Sequence, residues 1–172
     1  MYRESTGAIR FTLSKHLVDN GLCRNNRTFN ISIRNRNIEK SINMQYNNTE
    51  TQNCVFCKVI NKVDDNSEIL QEDTKFTLIK DIRPAAAHHY LVLTKQHIKN
   101  PKCLTSDDIT LGGDLNDTLL GFHWPPFNSI NHLHLHVISP KSEMSFFQRI
   151  IFRPSFYFTT VESLIEWLSQ KN

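Results

Sequence analysis

Apolar positions are spread unevenly along the 172 residues, and the change comes near Cys54. Before it, Phe11, Leu13, Leu17 and Val18 make at most one or two weak helical turns. Between Asn25 and Asn37 only Phe29, Ile31 and Ile33 are apolar. A segment this rich in Asn, Arg, Ser and Thr buries too little apolar surface to offset the entropy of ordering, so residues 1–53 are expected to be disordered. From Cys54 the pattern becomes periodic. Val55, Phe56, Val59 and Ile60 recur at helical spacing and predict a short helix. Asp64 to Ser67 is a turn, followed by short strands at 68–72 and 76–79 with Asp73 turning between them. His89 to Thr94 has strong strand character. Leu104 to Leu111 predicts one or two helical turns, N-capped by Thr105 or Ser106 and ended by Gly112-Gly113. Leu119 to His123 reads as a strand stopped by Pro125-Pro126, and Ile130 to Ser139 is the clearest strand of all. At the end, Thr159-x-x-Glu162 has the form of a capping box ahead of Leu164, Ile165, Trp167 and Leu168. Short strands with separate helices give an α+β class with an antiparallel β-sheet.

Charge sharpens the division at residue 53. The net charge of +3 suggests a weakly basic chain open to nucleic acid. Yet the first 53 residues hold eight Lys/Arg against four Asp/Glu, and the remaining 119 hold twelve against thirteen. The expected folded part, 54–172, is thus nearly neutral, and nucleic acid is not the expected partner. No run approaches the roughly 18 apolar residues that cross a bilayer, so no membrane partner is expected either. Four cysteines in a chain this long do not make a disulfide scaffold. Without an apolar leader, a reducing compartment is expected, cytoplasmic and nuclear; the basic first third leaves a mitochondrial presequence as the alternative. The N-x-S/T triplets at Asn26, Asn30, Asn47 and Asn116 are read as accidental in an Asn-rich chain.

The chemistry concentrates in His132-Leu133-His134-Leu135-His136-Val137-Ile138. In a strand, alternate side chains share a face, so His132, His134 and His136 would line one face about 6.5–7 Å apart. Leu133, Leu135 and Val137 would seal the other. Three imidazoles this close cannot all be protonated, so at least one is neutral near pH 7 and available as nucleophile, base or metal ligand. The bland reading is three polar groups on a solvated strand. Metal binding is the rival on chemistry alone. Phosphate chemistry is favoured by the Pro126-Phe127-Asn128-Ser129 loop just upstream, whose amides and Ser129 hydroxyl suit a phosphate, and by the lack of a nearby carboxylate for a hydrolytic zinc site.

The segment resembles the His-φ-His-φ-His-φ-φ signature of the histidine triad nucleotide-binding superfamily. Four further stretches match in order: Cys54 to Ile60, Lys80 to Pro84, His88 to Ile98, and Gly121 to Phe127. The resemblance covers about residues 53–171 and is strongest to the adenosine 5′-monophosphoramidase branch, with the aprataxin branch similar around Gly121 to Ser139. It implies a histidine-triad-like fold and cleavage of the P–N bond of adenosine 5′-phosphoramidates, releasing AMP without a cofactor. His134 would be the nucleophile. His136 would bond the phosphate and help protonate the leaving amine, while His132 and His89 would orient the site. Asp81 would take the ribose hydroxyls, and Ile82, with Phe56 and Ile79, would shape a slot for the base. Phe127, Asn128 and Ser129 would complete the nucleotide site. The plain readings of two of these positions are an ordinary turn at Asp81 to Pro84 and a strand-end histidine at His97. Some relatives with a Cys54-x-x-Cys57-type pair hold a structural zinc with two histidines, here His97 and His132. Two reduced, partly buried cysteines is the favoured reading, so no metal is expected; a redox pair is the third.

One departure stands out. The family places a long helix and then a strand between positions matching His97 and Gly121, but only residues 98–120 intervene here. Three helical turns alone take about 11 residues. The central helix is therefore shortened, one sheet face should lose cover, and a homo-oligomer is expected only where the shortened middle permits. An aprataxin-like enzyme acting on adenylated DNA ends and a non-enzymatic nucleotide-binding scaffold are the alternatives.

Overall fold

The computed structural model describes residues 30–33, 49–63, 67–104, 109–112 and 117–171. The early turns around Phe11 and Val18, the turn residues Asp64 to Asn66, the cap residues Thr105 and Ser106, Gly113, and the triplets at Asn26, Asn47 and Asn116 lie outside them.

Within 1–53 the described elements are β1 (Asn30–Ile33) and α1 (Thr49–Asn53), and α2 (Val55–Ile60) follows at once. Then come β2 (Ile69–Glu72), β3 (Phe76–Lys80), β4 (His88–Thr94), β5 (Ile109–Gly112), β6 (Leu119–His123), β7 (His134–Ser139), α3 (Phe146–Ile151), β8 (Phe158–Thr160) and α4 (Val161–Ser169). Six strands form one antiparallel sheet in the order β2-β3-β4-β7-β6-β8. Strands β1 and β5 form a separate antiparallel pair.

Three local expectations are corrected. The helix expected over Leu104 to Leu111 does not extend to Ile109, and 105–108 lie outside the described residues. A 3-10 turn at Pro101–Cys103 is capped by Asn100, whose side chain accepts from the Lys102 amide, and Ile109–Gly112 becomes β5. Pairing with β1 supplies backbone partners there, and the β-branched Ile109 and Thr110 suit a strand. The strand expected from Ile130 starts only at His134, because Leu133 donates to the Ile98 carbonyl (2.6 Å) and the Asn128 amide holds the Ile130 carbonyl and Asn131. The cap of α4 is Thr160, accepting from the Ser163 amide, since Thr159 is committed to β8 opposite Phe122.

The sheet has two apolar faces. Leu133, Leu135 and Val137 join Leu78, Tyr90, Val92 and Phe122 in a core covered by Ile98, Leu104 and the Val161-Leu164-Leu168 stripe of α4. The face expected to lose its cover is thus buried, which corrects the expectation drawn from the short middle. On the opposite face, α2 packs Phe56, Cys57, Val59 and Ile60 on Ile79, Leu91 and Leu93. Further along that face, Phe152 and Met144 pack with Ala85, Ile138 and Phe158. The histidines lie between these two clusters.

Candidate active site

Register places the histidines. His136 sits opposite Leu91, His134 opposite Leu93, and His89 opposite Ile138, so His89, His134 and His136 share the face that α2 and the Phe152 segment partly cover. His132 precedes the strand, and its side chain is buried nearby. Chain alternation therefore predicts the pair in β7 correctly, whereas His132 is placed by the turn before it.

Hydrogen bonds then fix the tautomers. His134 Nδ1 lies 2.6 Å from the His132 carbonyl. A carbonyl only accepts, so Nδ1 carries the proton and Nε2 keeps a free lone pair. His132 Nε2 likewise donates to the Thr94 carbonyl at 2.8 Å, leaving Nδ1 as its acceptor. His89 Nδ1 accepts from the Ala85 amide at 3.1 Å, so His89 Nε2–H faces His136 Nδ1 at 2.9 Å. His136 must accept there, and its own proton is on Nε2. That Nε2–H is buried with no partner among the described residues. The site thus offers one bare nitrogen, on His134, and one uncommitted N–H, on His136, with the two rings 5.0 Å apart.

Burial keeps these imidazoles neutral. It pushes His89 down to about 4, against the pull of the Asp81 carboxylate. His134 is lowered by burial, and His136 is lowered well below its ordinary value by burial and then by its neighbours His134, His89 and His123.

Asp81 Oδ2 lies 3.4 Å from His89 Nε2, while Oδ1 accepts from the Arg83 amide, closing the Asp81 turn. Asp81, His89 and His136 are close enough to suggest a cation. The Ala85 amide forbids it in this arrangement, because it leaves His89 Nε2 protonated. Phe56 packs edge-on against His134 at 5.0 Å. Ile79 is buried in the core and does not line an open slot, and Ile82 is 79% exposed. The slot expected from Phe56, Ile79 and Ile82 is therefore not preformed. Phe127 is half-exposed against Phe156, Asn128 braces its own loop, and Ser129 is exposed at a cleft of about 280 Å³.

Two residues were missed. His123, at the end of β6, stacks edge-on against His136 at 5.0 Å, and Phe152 packs on His89, His123 and His136. The signal for His123 was present. Gly121 pairs with His136, and two residues further along a strand returns to the same face.

The second cluster holds Cys54, Cys57, His97 and His132, whose donor atoms lie within 4.8 Å of one another. His132 Nδ1 is 3.5 Å from Cys54 Sγ and 3.4 Å from Cys57 Sγ, and His97 Nδ1 is 3.2 Å from Cys57 Sγ. Tetrahedral Zn–S and Zn–N bonds imply N···S separations of about 3.6 Å, so the donor set fits a Zn²⁺. His132 also presents the correct nitrogen. Burial and the neighbouring Cys54 push the Cys57 thiol up to about 12, which keeps it a thiol unless a cation compensates. Four converging donors favour the four-ligand reading over an isolated pair of reduced cysteines. Such an ion would brace the fold around His132, whose carbonyl orients His134.

A sheet strand presenting a bare imidazole nitrogen and an uncommitted imidazole N–H defines a histidine triad protein, and the chain belongs to that superfamily. Residues 53–117 and 110–151 match the family described as "Scavenger mRNA decapping enzyme C-term binding". The match comes in two pieces that meet where the middle is short. Within the superfamily, the chain is close to the proteins named adenosine 5′-monophosphoramidase HINT3. It is 40% identical to the one from Xenopus tropicalis over 147 residues, covering 76% of this chain and 96% of that one. It is 40% identical to the one from Mus musculus over 134 residues, covering 67% and 81%. Since 76% of this chain is fewer than 147 residues, the frog protein carries residues with no counterpart here. A HIT family hydrolase from Clostridium thermocellum overlays with a TM-score of 0.40 at 27% identity, covering 51% of this chain and 90% of that one.

Proposed function

We propose that this chain is an adenosine 5′-monophosphoramidase that works through an adenylyl-His134 intermediate. The observation that carries the mechanism is the paired tautomer state, a free lone pair on His134 Nε2 beside a partnerless N–H on His136 Nε2. His134 Nε2 attacks the phosphorus of the phosphoramidate, and the P–N bond to the amine breaks. The amine leaves with the bond's electron pair and a proton from solvent. His134 keeps its Nδ1 proton against the His132 carbonyl, which stabilises the positive charge that the adenylylated ring acquires. Water then attacks the phosphorus and gives up a proton to solvent, the bond to His134 breaks with its electron pair returning to Nε2, and AMP is released. Splitting one displacement into two is the benefit of the covalent route.

His136 takes a narrower role than general acid. With His89 Nε2–H filling its Nδ1 side, it is held as a neutral donor, suited to bonding a phosphate oxygen as charge develops. The amine part is the least specified element of the substrate. The test is a rapid quench with an adenosine–amine phosphoramidate, followed by mass spectrometry of the protein. An adenylyl adduct on His134 and its loss in His134→Asn, with turnover falling by about 10³-fold or more, are expected. Equal turnover by both proteins would sink the assignment.

A further inference from the structure

Helix α3 has two faces with different fates. Phe152, just past its end, packs on the catalytic histidines. Its outer face leaves Phe146 (73%) and Phe147 (76%) bare, with Ile150 and Ile151 about half-exposed. The bare surface continues beyond the helix. The Tyr157 hydroxyl donates to the Ile150 carbonyl, Tyr157 contacts Phe156, and Phe156 contacts Phe127 with ring centroids 5.3 Å apart. Phe156 is itself 73% exposed. Isolated exposed apolar residues are ordinary, but a contiguous aromatic patch marks an interaction surface.

Charge identifies the occupant. Residues 144–161 contain no Asp or Glu. Arg149 and Arg153 rise from that stretch, and exposed Arg83 stands on the turn whose Pro84 carbonyl accepts from Gln148 of α3. Arg149 is held by the Met144 and Ser142 carbonyls with no carboxylate in that network. Self-association through this face would bring the arginines of two copies to one seam, which charge opposes. Protruding Phe and Ile side chains on a stretch whose charged residues are Arg149 and Arg153, bounded by Glu143 and Glu162 and with exposed Arg83 on the adjoining turn, fit a surface that is apolar inside and anionic outside. We propose that the α3–Phe156 face docks on an anionic lipid surface. No helix among the described residues is long and apolar enough to cross a bilayer, which does not bear on this interfacial mode.

The experiment uses the full chain with vesicles of phosphatidylcholine, with or without phosphatidylserine, read by co-sedimentation. Binding should require phosphatidylserine, weaken with salt, and fall about tenfold or more in Phe146→Ser/Phe147→Ser. Arg153→Gln should weaken it further while leaving phosphoramidase turnover without lipid unchanged. Wild-type binding retained by the Phe146→Ser/Phe147→Ser protein would assign the effect to the basic first third and overturn the proposal. So would no vesicle binding together with a concentration-dependent dimer that the same substitutions abolish.

Discussion

His134 is made a nucleophile by a carbonyl two residues back in its own chain. Donation from Nδ1 to the His132 oxygen settles which nitrogen faces the substrate, and burial keeps the ring neutral. His136 is settled by a longer chain: the Ala85 amide fixes His89, and His89 fixes His136. His89 is therefore a positioning residue, acting through its neighbour. His89→Ala removes the N–H that holds His136, so its ring is free to turn its lone pair inward. We expect kcat to fall by about 10²-fold with KM little changed, measured by steady-state release of AMP. A fall confined to KM would indicate that His89 contacts the nucleotide instead. The histidine spacing was legible in the sequence, because strand period two is a property of consecutive residues. The tautomers were not, since they depend on Ala85 and Thr94, which the fold brings in from another strand and its flanking turn.

At the scale of elements, the two covers of the histidine face are held differently. Helix α2 is tied down by side chains of distant origin, with Cys54 and Cys57 meeting His97 and His132 across 40 to 78 residues of chain. Phe56 lies between the cysteines and packs on His134. If Zn²⁺ occupies this cluster, chelation should lower the melting temperature and added zinc should restore it, while Cys54→Ser/Cys57→Ser should melt low whatever the zinc concentration. The other cover depends on Gly121. A Cβ there would meet the Thr159 carbonyl and lie 2.6 Å from the Phe158 ring, where β6 pairs with β8. Gly121→Ala should cost about 3 kcal/mol, read as a shift in the urea midpoint. Periodicity revealed most of these elements, including β4, β6 and α4, because their apolar spacing is local. It failed at Ile109 to Leu111, where a strand forms with β1 as partner, and at Ile130 to Leu133, where bonds to Ile98 and Asn128 override strand propensity.

For the whole molecule, the consequence of gathering five histidines between two apolar clusters is acid sensitivity. His89 ordinarily titrates near 6.5 and is pushed down to about 4 by burial, and His136 and His134 are lowered for the same reason. Between about pH 6.5 and pH 4 the unfolded chain therefore binds protons that the folded chain excludes. Stability depends on pH according to that difference in bound protons, and it rises with pH wherever the unfolded chain binds more. The fold should hold its full stability above about pH 6.5 and lose it progressively as the pH falls towards 4. For His89 alone the loss is on the order of 3 kcal/mol. Carboxylates would produce a decline as well, but mostly below pH 5, in the range where free Asp and Glu titrate. The interval from pH 6.5 to 5 thus reports on the histidines. Urea unfolding midpoints measured across that interval should fall steadily, and His89→Gln should flatten the slope whatever it does to stability at pH 7. A midpoint that does not move between pH 7 and 5 would mean that the imidazoles are charged or solvated in the folded protein. A charged His134 has no lone pair to offer phosphorus, so the same flat profile would also remove the physical basis for its role as nucleophile.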